Sequence, residues 1–203
     1  MAQPLGTHVG NALEVKEAID VLCGRVQGPL LTVALELGAR MLMLGGKADT
    51  LEEARAKLMD ALESGRGLEK LRQMIRAQGG NPACCDDVAK LPQAPVILPV
   101  PSPSSGYVHR MDTVGLGNTA QAMGAGRRTK DDVIDPSVGF VLNKRIGDAV
   151  ETGEAIATVH AKDEASAQAA IAAIQQQVII GAEKVPACKL IHAFVTDEAI
   201  TRC

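Results

Sequence analysis

Residues 123–161 read MGAGRRTKDDVIDPSVGFVLNKRIGDAVETGEAIATVHA, and this stretch decides the fold. It opens on a glycine–arginine turn, Gly124-Ala125-Gly126-Arg127, and passes an acidic pair, Asp131 and Asp132. Two short apolar runs follow, Val138–Leu142 and Ala155–His160, separated by Gly147-Asp148 and Thr152-Gly153. Apolar runs this short, each closed by a glycine turn, predict the strands of a compact sheet.

Working outward, the strand pattern extends to Gly106–Met111 on one side and to Lys189–Thr196 on the other. Asp112 is placed to cap a short helix reaching Met123, and Asp163 or Ser166 starts an alanine-rich helix to about Val178. This half therefore reads as an α+β domain, residues 106–203, with short antiparallel strands. Before it lies a stretch broken by Pro92, Pro95, Pro99, Pro101 and Pro103, read as a linker over 93–105.

Residues 1–92 have a different period. Met1–Gly10 reads as loop, and Asn11 with Glu14 resembles a capping box for a first helix ending at Gly24. Its apolar stripe is Ala12, Val15, Ile19 and Leu22. Glu17 stands off that stripe, flanked four residues away by Leu13 and Val21. On pattern alone it belongs to a solvated face with Lys16 and Asp20; half-buried, it would need a partner. Pro29–Leu44 is apolar except for Thr32, Glu36 and Arg40, so a mostly buried second helix is expected. Thr50 with Glu53 caps a third helix with Leu51, Ala54, Leu58 and Leu62 inward. A fourth helix, near Gly67–Ala77, buries Leu68, Leu71 and Ile75.

Composition limits the function classes. Among 203 residues, aromatics are 1% and Trp is absent, so the core is aliphatic and base-stacking platforms are missing. A net charge of −3 supplies no basic footprint for nucleic acid. Cys23, Cys84, Cys85, Cys188 and Cys203 form no C-x-x-C pair, which argues for reduced thiols and against a zinc site. No secretory signal opens the sequence, and the most apolar segment, Leu30–Leu44, is shorter than a membrane span and carries Glu36 and Arg40. A soluble, cytoplasmic protein is expected.

Three spaced features, the GAGR turn, the Asp-x-Ile-Asp-x-x-Val-Gly run and the Gly-Asp-x-Val-x-x-Gly hairpin, resemble the C-terminal domain of thymidine and pyrimidine-nucleoside phosphorylases. Gln3-Pro4-Leu5-Gly6, Val9–Val15 and Glu17-Ala18 resemble a second block of the same family. The resemblance runs from Met1 to about Thr196. It implies an α/β remnant, mainly helical here, followed by a C-terminal domain of barrel-sandwich or hammerhead-like type. It also implies a glycosyltransferase reaction in nucleoside salvage, in which phosphate and a pyrimidine nucleoside give free base and pentose 1-phosphate.

In that family the second block holds a monovalent cation, usually potassium, through two backbone carbonyls and a glutamate. These fall at Leu5, His8 and Glu17. The family's phosphate loop and base-contacting groups precede this block, so no catalytic residue is assigned and the chain alone is expected to be inactive. A fragment, a truncated copy or one subunit of a split enzyme fits that reading, with an upstream half or a homodimer as partner. Arg127, Arg128 and Lys130 form a candidate anion-binding lid around the Gly124–Gly126 turn, although a solvated corner has the same composition. His109, His160 and His192 have no paired nucleophile nearby and read as packing or surface residues. The Gly147–Gly153 hairpin also resembles half of a biotinyl or lipoyl domain, a non-catalytic carrier, but lacks the lysine turn such a domain modifies.

Overall fold

The computed structural model describes residues 2–202, and its chain begins with an edge strand, β1 (His8–Val9). Helices α1 (Asn11–Leu22), α2 (Pro29–Leu44), α3 (Leu51–Glu63) and α4 (Arg66–Ala77) follow. Two short 3-10 turns, Pro82–Cys85 and Val88–Lys90, lead into β2 (Val96–Pro101) and β3 (Gly106–Met111). Then come α5 (Thr113–Ala120), a wider π-type turn at Gln121–Ala125, β4 (Gly139–Leu142), β5 (Ala149–Val150) and β6 (Ala155–Ala161). The chain closes with α6 (Glu164–Gln177), β7 (Val178–Gly181), β8 (Ala193–Val195) and β9 (Ile200–Arg202).

The strands make a four-stranded antiparallel sheet in the order β1-β4-β6-β2, a three-stranded one, β5-β3-β7, and the hairpin β8-β9. One aliphatic core joins the first two sheets to α5 and α6. Val100, Val108, Phe140, Val159, Leu116 and Ile174 are all buried there. Asp112 and Asp163 cap α5 and α6 as their sequence implies, accepting from the Gly115 and Ser166 amides.

Both edges of the four-stranded sheet correct the sequence reading. Residues 93–105 are not a plain linker, since Val96–Pro101 pairs along β6 from Val96↔Ala161 to Pro101↔Ala155. Pro99 and Pro101 are tolerated because β2 is an edge strand, where a missing N–H leaves no ladder partner unpaired. The segment read as loop at 1–10 likewise contributes β1, in register His8↔Val141 and Val9↔Phe140; Met1 lies outside the described residues. Gly10 and Gly139 permit this pairing. Both have φ in the region that favours glycine, 138° and 150°, and a Cβ on Gly139 would lie 2.1 Å from the Val9 carbonyl oxygen.

The helical half differs from expectation in three places. The N-cap of α1 is Gly10, not Asn11; Glu14 still reaches back to the Gly10 amide at 3.3 Å, while the Asn11 side chain donates to the Ala125 carbonyl at 2.8 Å. The buried face of α1 is Ala12, Leu13, Glu17, Ile19, Asp20 and Val21, and Val15 is exposed. Helix α2 is not mostly buried. Ala39 is fully covered and Leu42 and Met43 pack on α3, but Leu37, Met41 and Leu44 are 60%, 71% and 90% exposed. Two residues of its polar line are partly covered instead: Glu36 pairs with Arg55, and the Arg40 guanidinium sits 3.4 Å from the Phe194 ring centre, while Thr32 stays exposed. The third and fourth helices pack as expected, with Ala54 buried on α3 and Leu68, Leu71 and Ile75 of α4 against Ile19, Cys84 and Cys85. Of the C-terminal strand expected over 189–196, only Ala193–Val195 is extended, paired with β9.

Candidate functional site

Helix α1 carries its one deeply buried glutamate, Glu17, beneath the turn that precedes β1. The residue is 5% exposed, and its carboxylate is wrapped by that turn. The Thr7 amide and hydroxyl donate to its Oε1 at 2.7 and 2.8 Å, and the His8 amide donates to Oε2 at 3.3 Å. Gly6 makes the approach possible, since a Cβ there would stand 2.2 Å from Oε2. Burial by itself would raise the Glu17 pKa. The bonds from Thr7 and His8 outweigh it and hold the carboxyl below its ordinary range, so the site keeps a fixed negative charge.

Nearby groups complete the electrostatics. The His8 Nδ1 lies 3.6 Å from Glu17 Oε1 and 2.9 Å from the Thr7 hydroxyl. Burial lowers the His8 pKa in spite of Glu17, so the ring is neutral near pH 7. His160, on β6, is lowered by burial and then by His8. Asp20, expected on a solvated face, is 8% exposed and bridges Lys16 and Arg25 at 2.7 and 3.0 Å. Burial opposes its charge, and those two cations more than restore it.

Leu5, His8 and Glu17, the three residues singled out for a cation, line one cleft of about 490 Å³. Val9, Glu14, Leu30 and, from α5, Thr113, Leu116 and Gly117 also border it. A second, ion-sized space of about 40 Å³ lies beside Glu17, bordered by Leu5, Gly6, Thr7, Gly28 and Arg145. The donor set suits a hard cation: a charged carboxylate in a glycine-cradled turn rich in backbone oxygens. Among the described residues no three His, Cys, Asp or Glu side chains cluster as a metal site.

The turn is not held by α1 alone. Arg145, from the loop after β4, donates through its two terminal nitrogens to the Pro4 carbonyl at 2.8 Å and the Gly6 carbonyl at 3.3 Å. Its neighbour Ile146 donates its amide to the Gln3 side chain at 2.9 Å. Sequence reasoning missed Arg145. The arginine follows Asn143-Lys144 in an ordinary charged turn, and nothing local marks it as the partner of residues so distant in the chain.

The cationic loop is placed differently. Arg127, Arg128 and Lys130 are all exposed, and they do not border the Glu17 cleft. Ala125 and Gly126, just before them, do line a shallower groove of about 210 Å³ shared with Val9, Gly10, Asn11 and Glu14. Asp132 organises the loop from within, accepting from the Arg128 amide at 2.9 Å and the Thr129 hydroxyl at 2.8 Å. These bonds, led by that of the Thr129 hydroxyl, hold its carboxyl below the ordinary range. Elsewhere, the His109 ring meets the Glu183 carbonyl oxygen, and His192 lines a separate pocket with Arg145 and Cys188. Cys23, Cys84, Cys85 and Cys188 carry free thiols; Cys203 lies outside the described residues.

Comparison with known proteins gives this geometry a family. The sequence profile described as the pyrimidine nucleoside phosphorylase C-terminal domain matches residues 107–181. Pyrimidine-nucleoside phosphorylase of Bacillus subtilis (strain 168) is 45% identical over 198 residues, covering 97% of this chain and 45% of that protein. The chain matches the C-terminal segment of the pyrimidine-nucleoside phosphorylase family. Pyrimidine-nucleoside phosphorylases of Staphylococcus aureus are similar too. That of strain USA300 is 42% identical over 197 residues, and that of strain MSSA476 48% over 160 residues. The chain thus spans less than half the length of these phosphorylase relatives, 45% for the first and 37% for the last. The B. subtilis match takes in nearly the whole chain, so the helical half and the Glu17 turn belong to the likeness as much as the β-rich half does. Among the described residues no helix is long and apolar enough to cross a membrane.

Proposed function

We propose that this chain serves phosphorolysis of pyrimidine nucleosides, as the cation-holding, C-terminal part of a phosphorylase. The supporting observation is the 45% identity over nearly the whole chain to a pyrimidine-nucleoside phosphorylase. In the reaction a phosphate oxygen bonds to the anomeric carbon as the glycosidic bond to the base nitrogen breaks. The bond's electron pair leaves with the base, which takes up a proton, and a pentose 1-phosphate remains. A cationic sugar between two anions dominates the transition state, so fixed charges and amides do most of the catalytic work.

On this reading Leu5 and His8 would lend carbonyl oxygens, and Glu17 its carboxylate, to a monovalent cation such as potassium. Bound there, the cation supplies fixed positive charge and orders the turn. The charged state of Glu17 and its close seating against Gly6 in the turn both favour this. Arg127, Arg128 and Lys130 would close over substrate as a lid; all three are exposed, and Arg128 stands 3.7 Å from Asp132 within the loop. The phosphate loop and base-binding groups come from an upstream segment, either in a longer chain or as a separate half in trans. The finer fold assignment, a barrel-sandwich or hammerhead-like C-terminal domain in a cytoplasmic protein, goes with the same reading.

Exposed apolar surface supports the need for a partner segment. Ala34, Leu37, Met41 and Leu44 of α2 recur at helical spacing and all face outward, a stripe that isolated soluble helices do not present. The test is turnover of thymidine or uridine with phosphate by the purified chain, alone and co-expressed with an upstream half carrying the phosphate loop. Turnover in the mixture only is the expected result. Turnover by the chain alone refutes the assignment of those groups upstream, and no turnover in the mixture refutes the phosphorylase reading.

A further inference from the structure

We infer that Arg145 is a positioning residue for the Glu17 site, setting its affinity for a monovalent cation by fixing the Pro4–Gly6 backbone; this rests on the cation reading above. The arginine makes no bond to Glu17 in the structure. It reaches instead past the carboxylate to two carbonyls of the turn, Pro4 at 2.8 Å and Gly6 at 3.3 Å. A guanidinium presents its donors in a rigid fork and never loses its charge, so one side chain pins two backbone units in a fixed relation. The intervening Leu5 carbonyl is the one in this run not spent on that fork. Gln3 ties the same segment to the Ile146 amide at 2.9 Å, so residues 3–6 are clamped at both ends by residues 145 and 146.

The clamp matters because α1 supplies only the floor of the site. The Glu17 bonds come from Thr7 and His8, and the approach of Glu17 to Gly6 tolerates no extra atom. Residues 3–7 form no regular secondary structure of their own. Without Arg145 the turn would lose the constraint that orients Pro4–Gly6, and the Thr7 and His8 amides would part from Glu17 more often. A competing physical effect has the opposite sign. Arg145 borders the same 40 Å³ space as Glu17, and a guanidinium there repels a second cation. If repulsion outweighs ordering, removing the arginine tightens binding instead of weakening it.

The experiment is a potassium titration of the whole chain, read by thermal midpoint at constant ionic strength with choline as the balancing ion. Arg145→Met is compared with wild type, and backbone amide exchange at Thr7 and His8 is followed alongside that at Val159 and Ile174. Expected is an apparent potassium affinity about tenfold weaker in Arg145→Met, with faster exchange at Thr7 and His8 and unchanged exchange at Val159 and Ile174. Arg145→Lys, which keeps the charge but not the fork, should regain part of that affinity. Equal or tighter potassium binding in Arg145→Met overturns the inference while leaving the cation site standing. A wild-type chain indifferent to potassium overturns both. Should Arg145→Met not fold, Arg145→Lys carries the decision: wild-type potassium affinity and wild-type exchange at Thr7 and His8 would refute the role.

Discussion

Replacing Gly6 by alanine tests whether Glu17 is caged as the structure has it. The glycine's φ is not in the left-handed region, so the backbone itself does not demand glycine. The demand is steric. A Cβ would stand 2.2 Å from Glu17 Oε2, 3.0 Å from its Cδ and 3.1 Å from Oε1. Restoring ordinary contact moves the carboxylate by at least about 1 Å. That shift breaks Thr7 bonds now at 2.7 and 2.8 Å and leaves a nearly buried charge with fewer donors. Charge-assisted hydrogen bonds are worth about 1.5–3 kcal/mol each, and part of that returns as water enters, so Gly6→Ala should cost about 2–4 kcal/mol. In urea the midpoint should fall by about 1–2 M. The control is the double mutant. With Glu17→Ala already present the clash is gone, and adding Gly6→Ala should change stability by under about 0.5 kcal/mol. A small cost in the wild-type background, or an equal cost in both, would refute the cage.

Acid should weaken the fold in two steps. Burial lowers the pKa values of His8 and His160 from the ordinary 6.5, so the unfolded chain binds more protons; their contribution is complete above that value and is lost as pH falls through the folded pKa values. Glu17 and Asp20 are lowered from 4.5 and 3.8, so theirs holds above those values and disappears at still lower pH. Urea midpoints from pH 8 to pH 3 should show both losses, with His160→Gln flattening the upper step and Glu17→Gln the lower. Gly139→Ala puts a Cβ 2.1 Å from a backbone oxygen; it should cost at least about 2 kcal/mol and speed amide exchange at Leu142, whose partner is the Thr7 carbonyl. Finally, the chain alone should self-associate with rising concentration in sedimentation through Leu37, Met41 and Leu44, which are 60%, 71% and 90% exposed, and the triple change Leu37→Glu, Met41→Lys, Leu44→Glu should abolish that association without lowering the thermal midpoint.

Local signals carried most of the element assignment. Gly106–Met111 and the strands at 139–142 and 155–161 are short apolar runs closed by glycine turns, and the caps at Thr50, Asp112 and Asp163 lie within four residues of the amides they serve. Non-local pairing hid the rest. A two-residue strand at His8–Val9 has no period to read, and it exists because Gly10 and Gly139 let two backbones meet. The prolines of Val96–Pro101 mimic a linker, and only the strand's place at the sheet edge reconciles them with pairing. For α2, the apolar count was legible but its direction was not: a side chain's hydrophobicity states that a partner surface is favourable, not that this chain contains it. Glu17 was ambiguous for the same reason, since the Thr7 and His8 amides that settle its burial come from a turn whose shape no local pattern specifies.

The placement of the site explains why its parts looked unrelated. All three oxygen-bearing residues, Leu5, His8 and Glu17, precede residue 92, the boundary drawn from the proline-rich stretch. Yet Leu142 donates its amide to the Thr7 carbonyl, Val141 and Phe140 pair with His8 and Val9, and Arg145 and Ile146 hold residues 3–6. The β4 strand and the loop after it therefore shape a turn whose candidate oxygen donors all lie in the helical half. Division at the linker would cut through this sheet, leaving the carboxylate on α1 with a turn that has lost most of its supports. A glutamate this buried is tolerable only while its donors stay fixed, because unpaired it would bear the full cost of desolvation. The negative charge on α1 and the sheet that orders the turn above it are for that reason one structural unit.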